Sequence, residues 1–115
     1  MNGTKQIDRQ KALSWLEGDE RMFARIRDIF IKNMPHQVEQ LKTFLDAGDR
    51  NAAERAAHTI MGSSAMMGAG AMSGEAGKIE HSAIENNMDA ARIHYGAFVE
   101  EYRKVMEELA ADGGD

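Results

Sequence analysis

The stretch "FLDAGDRNAAERAAHTIMGSSAMMGAG", residues 44–70, decides the class of fold. Gly48 follows an apolar run, and glycine tolerates the left-handed backbone that closes a helix. Asp49 comes next and offers a carboxylate to the free N–H groups of a new first turn. From there apolar residues recur at helical spacing until "GAGA", residues 68–71, which reads as a turn. Helix, stop, cap, helix and turn follow within a few dozen residues, so helices joined by short connections are expected.

The same grammar extends outward. Upstream, Asp8 can cap a short helix through "RQKALSWLE", ended by Gly18, and Trp15 should pack that helix against the rest. Asp19 then caps a long helix whose apolar positions are Met22, Phe23, Ile26, Ile29, Phe30, Met34, Val38, Leu41, Phe44 and Leu45. Pro35 lies inside it and predicts a kink or break near Asn33 and Met34. Downstream, Met72, Ala76, Ile79 and Ala83 form one stripe. "ENNMD" breaks it, with Asn86 or Asn87 as the next cap. A last helix carries Ile93, Ala97, Phe98, Tyr102, Val105 and Leu109, and "ADGGD" reads as a frayed polar tail. The expectation is an all-α fold, an antiparallel four-helix bundle with an additional short N-terminal helix. Residues 1–115 read as one domain with a helical core from about 8 to 109.

Composition narrows the function. With no cysteine among 115 residues, neither disulfides nor thiolate metal sites are available. A formal charge of −5, with both signs interspersed, argues against nucleic acid as a partner. The N-terminal residues lack a signal-type apolar region, and no segment is long enough to span a bilayer, so a cytoplasmic protein without membrane association is expected.

His58 draws attention within the third helix. Each helical residue turns the side chain by about 100°. With Ile60 pointing inward, Ala53, Ala56, Ala57, Ser63, Ser64 and Met67 share its face, whereas His58 falls about 160° away. Gly62, one turn on, lies on the same outward ridge, and Ala65 is near. A glycine within a helix costs about 1 kcal/mol against alanine. That cost has a purpose if a macromolecule must approach the imidazole closely. An outward imidazole is a competent nucleophile for phosphoryl groups, whose transfer needs positioning and charge stabilisation above all. On geometry alone an ordinary surface histidine, with Gly62 permitting helix packing, remains open.

The run "AAHTIMGSSAMMGAGAMSGEAGKIEHSA" resembles the signature of histidine-containing phosphotransfer (HPt) domains, with Ala57, His58, Thr59, Ile60, Gly62, Ser63, Gly68, Ala69, Met72, Ala76, Ile79 and Glu80 in register. "LEGDERMFARIRDIF" and "AGDRNAAERAAH" extend the likeness, so it covers roughly residues 8 to 109. The resemblance implies a four-helix bundle that accepts a phosphoryl group on His58 from the aspartate of a response-regulator receiver domain and passes it to another. It implies a carrier without kinase activity, nucleotide or cofactor of its own, the receiver supplying Mg²⁺. A hybrid sensor histidine kinase would be the other partner, and monomers are the family's commoner state. Thr59, Met61, Gly62 and Ala65 would surround the site and give partners access.

One position departs from the pattern. The family usually has lysine three residues after the histidine, and this chain has Met61, which cannot screen phosphate charge. Arg55 and Lys78 are the candidates to screen it instead. Alternatively, the chain docks a receiver or kinase without phosphoryl turnover. A metal or cofactor bundle is a third reading, disfavoured because His36, His81 and His94 are scattered without metal-site spacing. Ser63 and Ser64 face inward, where a hydroxyl can bond its own helix. The nine methionines read mostly as core filler, and Glu80 as an inter-helix residue whose partner the sequence does not name.

Overall fold

The computed structural model describes residues 5–113, with side chains through residue 111. Its five helices are α1 (Arg9–Trp15), α2 (Glu20–Ala47), α3 (Arg50–Met66), α4 (Gly70–Ile84) and α5 (Met88–Gly113), with no strand among the described residues. Each of α2 to α5 packs on the next, α5 closes the ring against α2, and α1 lies on α2. This is the expected all-α bundle with its short leading helix.

Local chemistry sets the boundaries. The carboxylates of Asp8, Asp19 and Asp49 accept from the backbone N–H of Lys11, Met22 and Ala52. Each such cap contributes about 1 kcal/mol. Gly48 adopts φ 71°, and the N–H of Asp49 returns to the carbonyl of Phe44 at 2.9 Å. Between α4 and α5 the two asparagines divide the work. Asn86 takes the left-handed conformation at φ 60°, while Asn87 Oδ1 accepts from the N–H of Ala90 at 3.1 Å.

The core is built from Phe23, Met34, Leu41 and Leu45 of α2, Ile60 of α3, Met72 and Ile79 of α4, and Phe98, Val105 and Leu109 of α5. Small residues are frequent among the buried positions of both α3 and α4: Ala52, Ala53, Ala57 and Ser64 on one, Ala76, Ser82 and Ala83 on the other. Small side chains let two helices approach closely, which brings the surface residues along their seam within hydrogen-bonding range.

Several expectations are corrected. α2 runs unbroken through Pro35. Proline in a helix interior costs about 3 kcal/mol, but buried Phe30 and Met34 before it and Val38 and Leu41 after it hold both halves to the core. The turn at 68–71 is shorter than expected: Gly68 carries φ +77°, Ala69 is the N-cap, and Gly70 already opens α4. α5 continues through Gly113 instead of fraying from Ala111, since a helix templated on buried Val105 and Leu109 gains one bond per added residue. Gly114 and Asp115, the end of the expected tail, lie outside the described residues. Trp15 is 51% exposed, with Lys11 Nζ 5.9 Å from its ring centre. α1 docks instead through fully buried Ala12, with Leu13 and Leu16 packed against the core. Periodicity also overcounted the buried faces, because Met22, Ile29 and Ile93 are exposed. Of the methionines, Met34, Met67 and Met72 are buried, while Met22 and Met66 lie on the surface.

Ahead of α1 the backbone forms a strap. Glu108 accepts the N–H groups of Gln6 and Ile7 at 2.7 and 3.1 Å, and the carbonyl of Gly68 accepts the N–H of Asp8 at 2.8 Å. Ile7 is buried beneath. A β-carbon at position 68 would strike the Asp8 carbonyl, so both the positive φ and the close approach require glycine there.

Candidate functional site

Ile60 and Ala57 anchor α3 in the core, and their burial turns His58 outward, as the angular arithmetic anticipates. The His58 side chain is 67% exposed. Its Nδ1 lies 2.9 Å from Oε2 of Glu80, whose side chain is only 19% exposed in the α3–α4 seam. A carboxylate can only accept, so Nδ1 carries the proton and the lone pair falls on Nε2, across the ring. The imidazole is thereby held in one tautomer and one orientation.

Small residues surround it. Gly62 is exposed, and a β-carbon there would meet nothing within 4 Å. Close helix packing therefore does not explain this glycine. Thr59 is exposed and Ala65 half-buried. Met61 is half-buried and turned toward α4, its sulfur beside Gly77, while its carbonyl accepts from Ser73 Oγ at 2.9 Å.

The two candidate cations separate. Lys78 pairs with Glu75 at 3.2 Å and does not line the depression around the histidine. Arg55 does. That depression, of about 450 Å³, is formed by Glu54, Arg55, His58, Thr59 and Glu80, and Arg55 makes no ion pair there. Ser64 Oγ donates to its own helix at the carbonyl of Ile60, 2.7 Å away, as an inward serine should. His81 meets Glu85 at 3.2 Å on the outer surface. Among the described residues no three His, Asp or Glu side chains cluster in a way that could hold a metal ion.

Glu80 is the inter-helix residue whose partner sequence reasoning did not name, and that partner is His58. It sits in the motif, but its partner is 22 positions away and depends on how α4 is rotated against α3. Its position beside inward Ile79 was the available signal, since that spacing places it at the edge of the packed seam.

A family model described as the Hpt domain matches residues 25–112. The chain belongs to the Hpt domain family. Its bundle superposes on the crystal structure of histidine-containing phosphotransfer protein B (HptB) from Pseudomonas aeruginosa PAO1 with a TM-score of 0.88, covering 97% of each chain at 23% identity. Over 107 residues this Hpt chain is 25% identical to the phosphorelay intermediate protein rdeA of Dictyostelium discoideum. That alignment covers 93% of the Hpt chain and 42% of the relative's length. No helix among the described residues is long and apolar enough to cross a membrane.

Proposed function

We propose that this Hpt domain is the phosphoryl carrier of a two-component phosphorelay, with His58 as the residue that holds the phosphoryl group. The observation that carries the reading is an exposed imidazole whose Nδ1 is held at 2.9 Å by Glu80, beside a bare backbone at Gly62. Membership of the Hpt family and similarity to a phosphorelay intermediate support it.

The chemistry follows from the tautomer. The Nε2 lone pair attacks the phosphorus of a receiver's aspartyl phosphate. An N–P bond forms, the P–O bond breaks, and its electron pair returns to the receiver's carboxylate. The ring becomes a phosphoimidazolium that keeps its Nδ1 proton, and Glu80 stabilises the new positive charge. Transfer to a second receiver aspartate reverses these steps. The chain itself acts without kinase activity, nucleotide or resident cofactor, and the receiver brings the Mg²⁺. Its partners are receiver domains and a hybrid sensor histidine kinase, with no nucleic acid or membrane, and it works as a cytoplasmic monomer. Exposed Ile29 of α2 and Met66 of α3, the latter one helical turn beyond Gly62, line a common hollow between the two helices and supply apolar area on which a receiver can dock.

Incubation with a phosphorylated receiver tests this. The expected product is an acid-labile, base-stable adduct that a His58→Gln variant does not form. Equal uptake by that variant overturns the assignment to His58. Receiver binding without any label would leave a docking module in place of a carrier.

A further inference from the structure

The surroundings of His58 are electrically lopsided. Toward α4 lie two carboxylates, Glu54 and Glu80, together with the thioether of Met61 seated at Gly77. Toward α2 lie the Arg55 guanidinium and the Thr59 hydroxyl. These two residues also border a second groove, of about 490 Å³, walled on the α2 side by Gln37, Gln40 and Phe44, which neither Glu54 nor Glu80 reaches. Arg55 and Thr59 thus stand on the ridge between the histidine and α2. Lys78, tied to Glu75, is outside both hollows.

A phosphoryl group arriving at Nε2 brings two negative charges and three acceptor oxygens. Carboxylates on one side repel it, and a fork of N–H donors without an ion-pair partner attracts it on the other. We propose that the phosphoryl group on His58 is held on the α2 flank of α3, by the Arg55 guanidinium with help from the Thr59 hydroxyl. This deepens the carrier reading and rests on it. Arg55 contacts the transferring group itself, and it does so from one turn before the histidine, where position 61 offers no cation. The approaching receiver is accordingly tilted toward α2, over the flank that also exposes Ile29 and Met66.

Two donors test the assignment. One is a phosphorylated receiver; the other is phosphoramidate, a small donor that needs no docking surface and releases ammonia as the N–P bond to Nε2 forms. Wild type, Arg55→Gln, Arg55→Lys, Thr59→Val and Lys78→Gln are compared for labelling rate and for affinity toward unphosphorylated receiver. Arg55→Gln should label at least tenfold more slowly from both donors, with Arg55→Lys recovering part of the rate. Thr59→Val should slow it two- to threefold and Lys78→Gln leave it unchanged. Wild-type labelling of Arg55→Gln by phosphoramidate overturns the proposal, because slowing confined to the receiver makes Arg55 a docking contact. Equal slowing by Lys78→Gln overturns it as well. If the wild-type chain takes label from neither donor, the carrier reading falls, and this inference falls with it.

Discussion

Met61 and Gly77 fit one another across the α3–α4 seam: a β-carbon at position 77 would stand 3.2 Å from the Met61 sulfur. The glycine thus makes room for a thioether where the family resemblance expects a lysine. The two positions behave as one packing unit.

Alanine at 77 would ask the sulfur to yield by a few tenths of an ångström, and an unbranched thioether can do so. Removing a glycine from a helix interior contributes about 1 kcal/mol. Gly77→Ala should therefore leave stability unchanged or raise it by up to about 1 kcal/mol, read from the urea midpoint at constant slope. A loss above 1 kcal/mol would mean that Met61 is locked in place.

Why some of this was legible in the sequence and some was not follows from range. Asp8, Asp19, Gly48 and Asp49 act on groups three to five residues away, so their roles can be read locally. His58 could be aimed outward because Ile60 and Ala57 fixed one helix's inward direction. The bond to Glu80, the seating of Met61 on Gly77 and the exclusion of Lys78 all depend on the register of α4 against α3, which no single helix encodes. Of the kink or break expected at Pro35, the break is absent because burial on both sides outweighs a local rule. Trp15 and Ile93 were misread because apolar periodicity marks a stripe without saying whether anything covers it.

Glu80 should matter for transfer far more than for folding. A hydrogen bond between a carboxylate and an imidazolium contributes about 1.5–3 kcal/mol, roughly ten- to a hundredfold in rate if it acts in the transition state. Glu80→Ala should slow labelling of His58 by that factor with an unchanged denaturation midpoint. Glu80→Gln should fall between, since its amide oxygen still accepts the Nδ1 proton but carries no charge. Full activity in the alanine variant would leave the imidazole oriented by something else.

At Gly62 the structure separates access from stability. Nothing lies within 4 Å of a β-carbon there, so Gly62→Leu should fold at least as well as wild type, gaining up to about 1 kcal/mol of helix propensity. The same side chain stands one turn from the imidazole and should weaken receiver binding by roughly tenfold or more, the cost of a misfit against a packed interface. Titration calorimetry beside a urea curve would reveal both, and undiminished affinity would remove the steric role of the glycine.

Alkaline stability should depend on Tyr95. Burial raises its phenol above the ordinary tyrosine value of 10.0, and the carboxylates of Glu39 and Asp46 push in the same direction. The unfolded phenol ionises first, so as pH rises past 10.0 the unfolded chain has shed a proton that the fold retains, and unfolding gains. The contribution is whole below that value and is lost as pH climbs through the raised one. Because Tyr102 is shifted likewise, Tyr95→Phe should flatten the alkaline fall in melting temperature without abolishing it. An identical pH profile would show that other groups govern it.

The carboxylate of Glu108, by holding the backbone of Gln6 and Ile7, brings the two extremities of the described chain to one pole of the bundle. From Glu108 to Gly113 the helix advances only about 7.5 Å, which a loop of some six to eight glycines and serines can retrace. A circular permutant joined there and opened between Asn86 and Asn87 should assemble the same bundle with a similar melting midpoint. The succession of helices along the polypeptide is then separable from their arrangement in space.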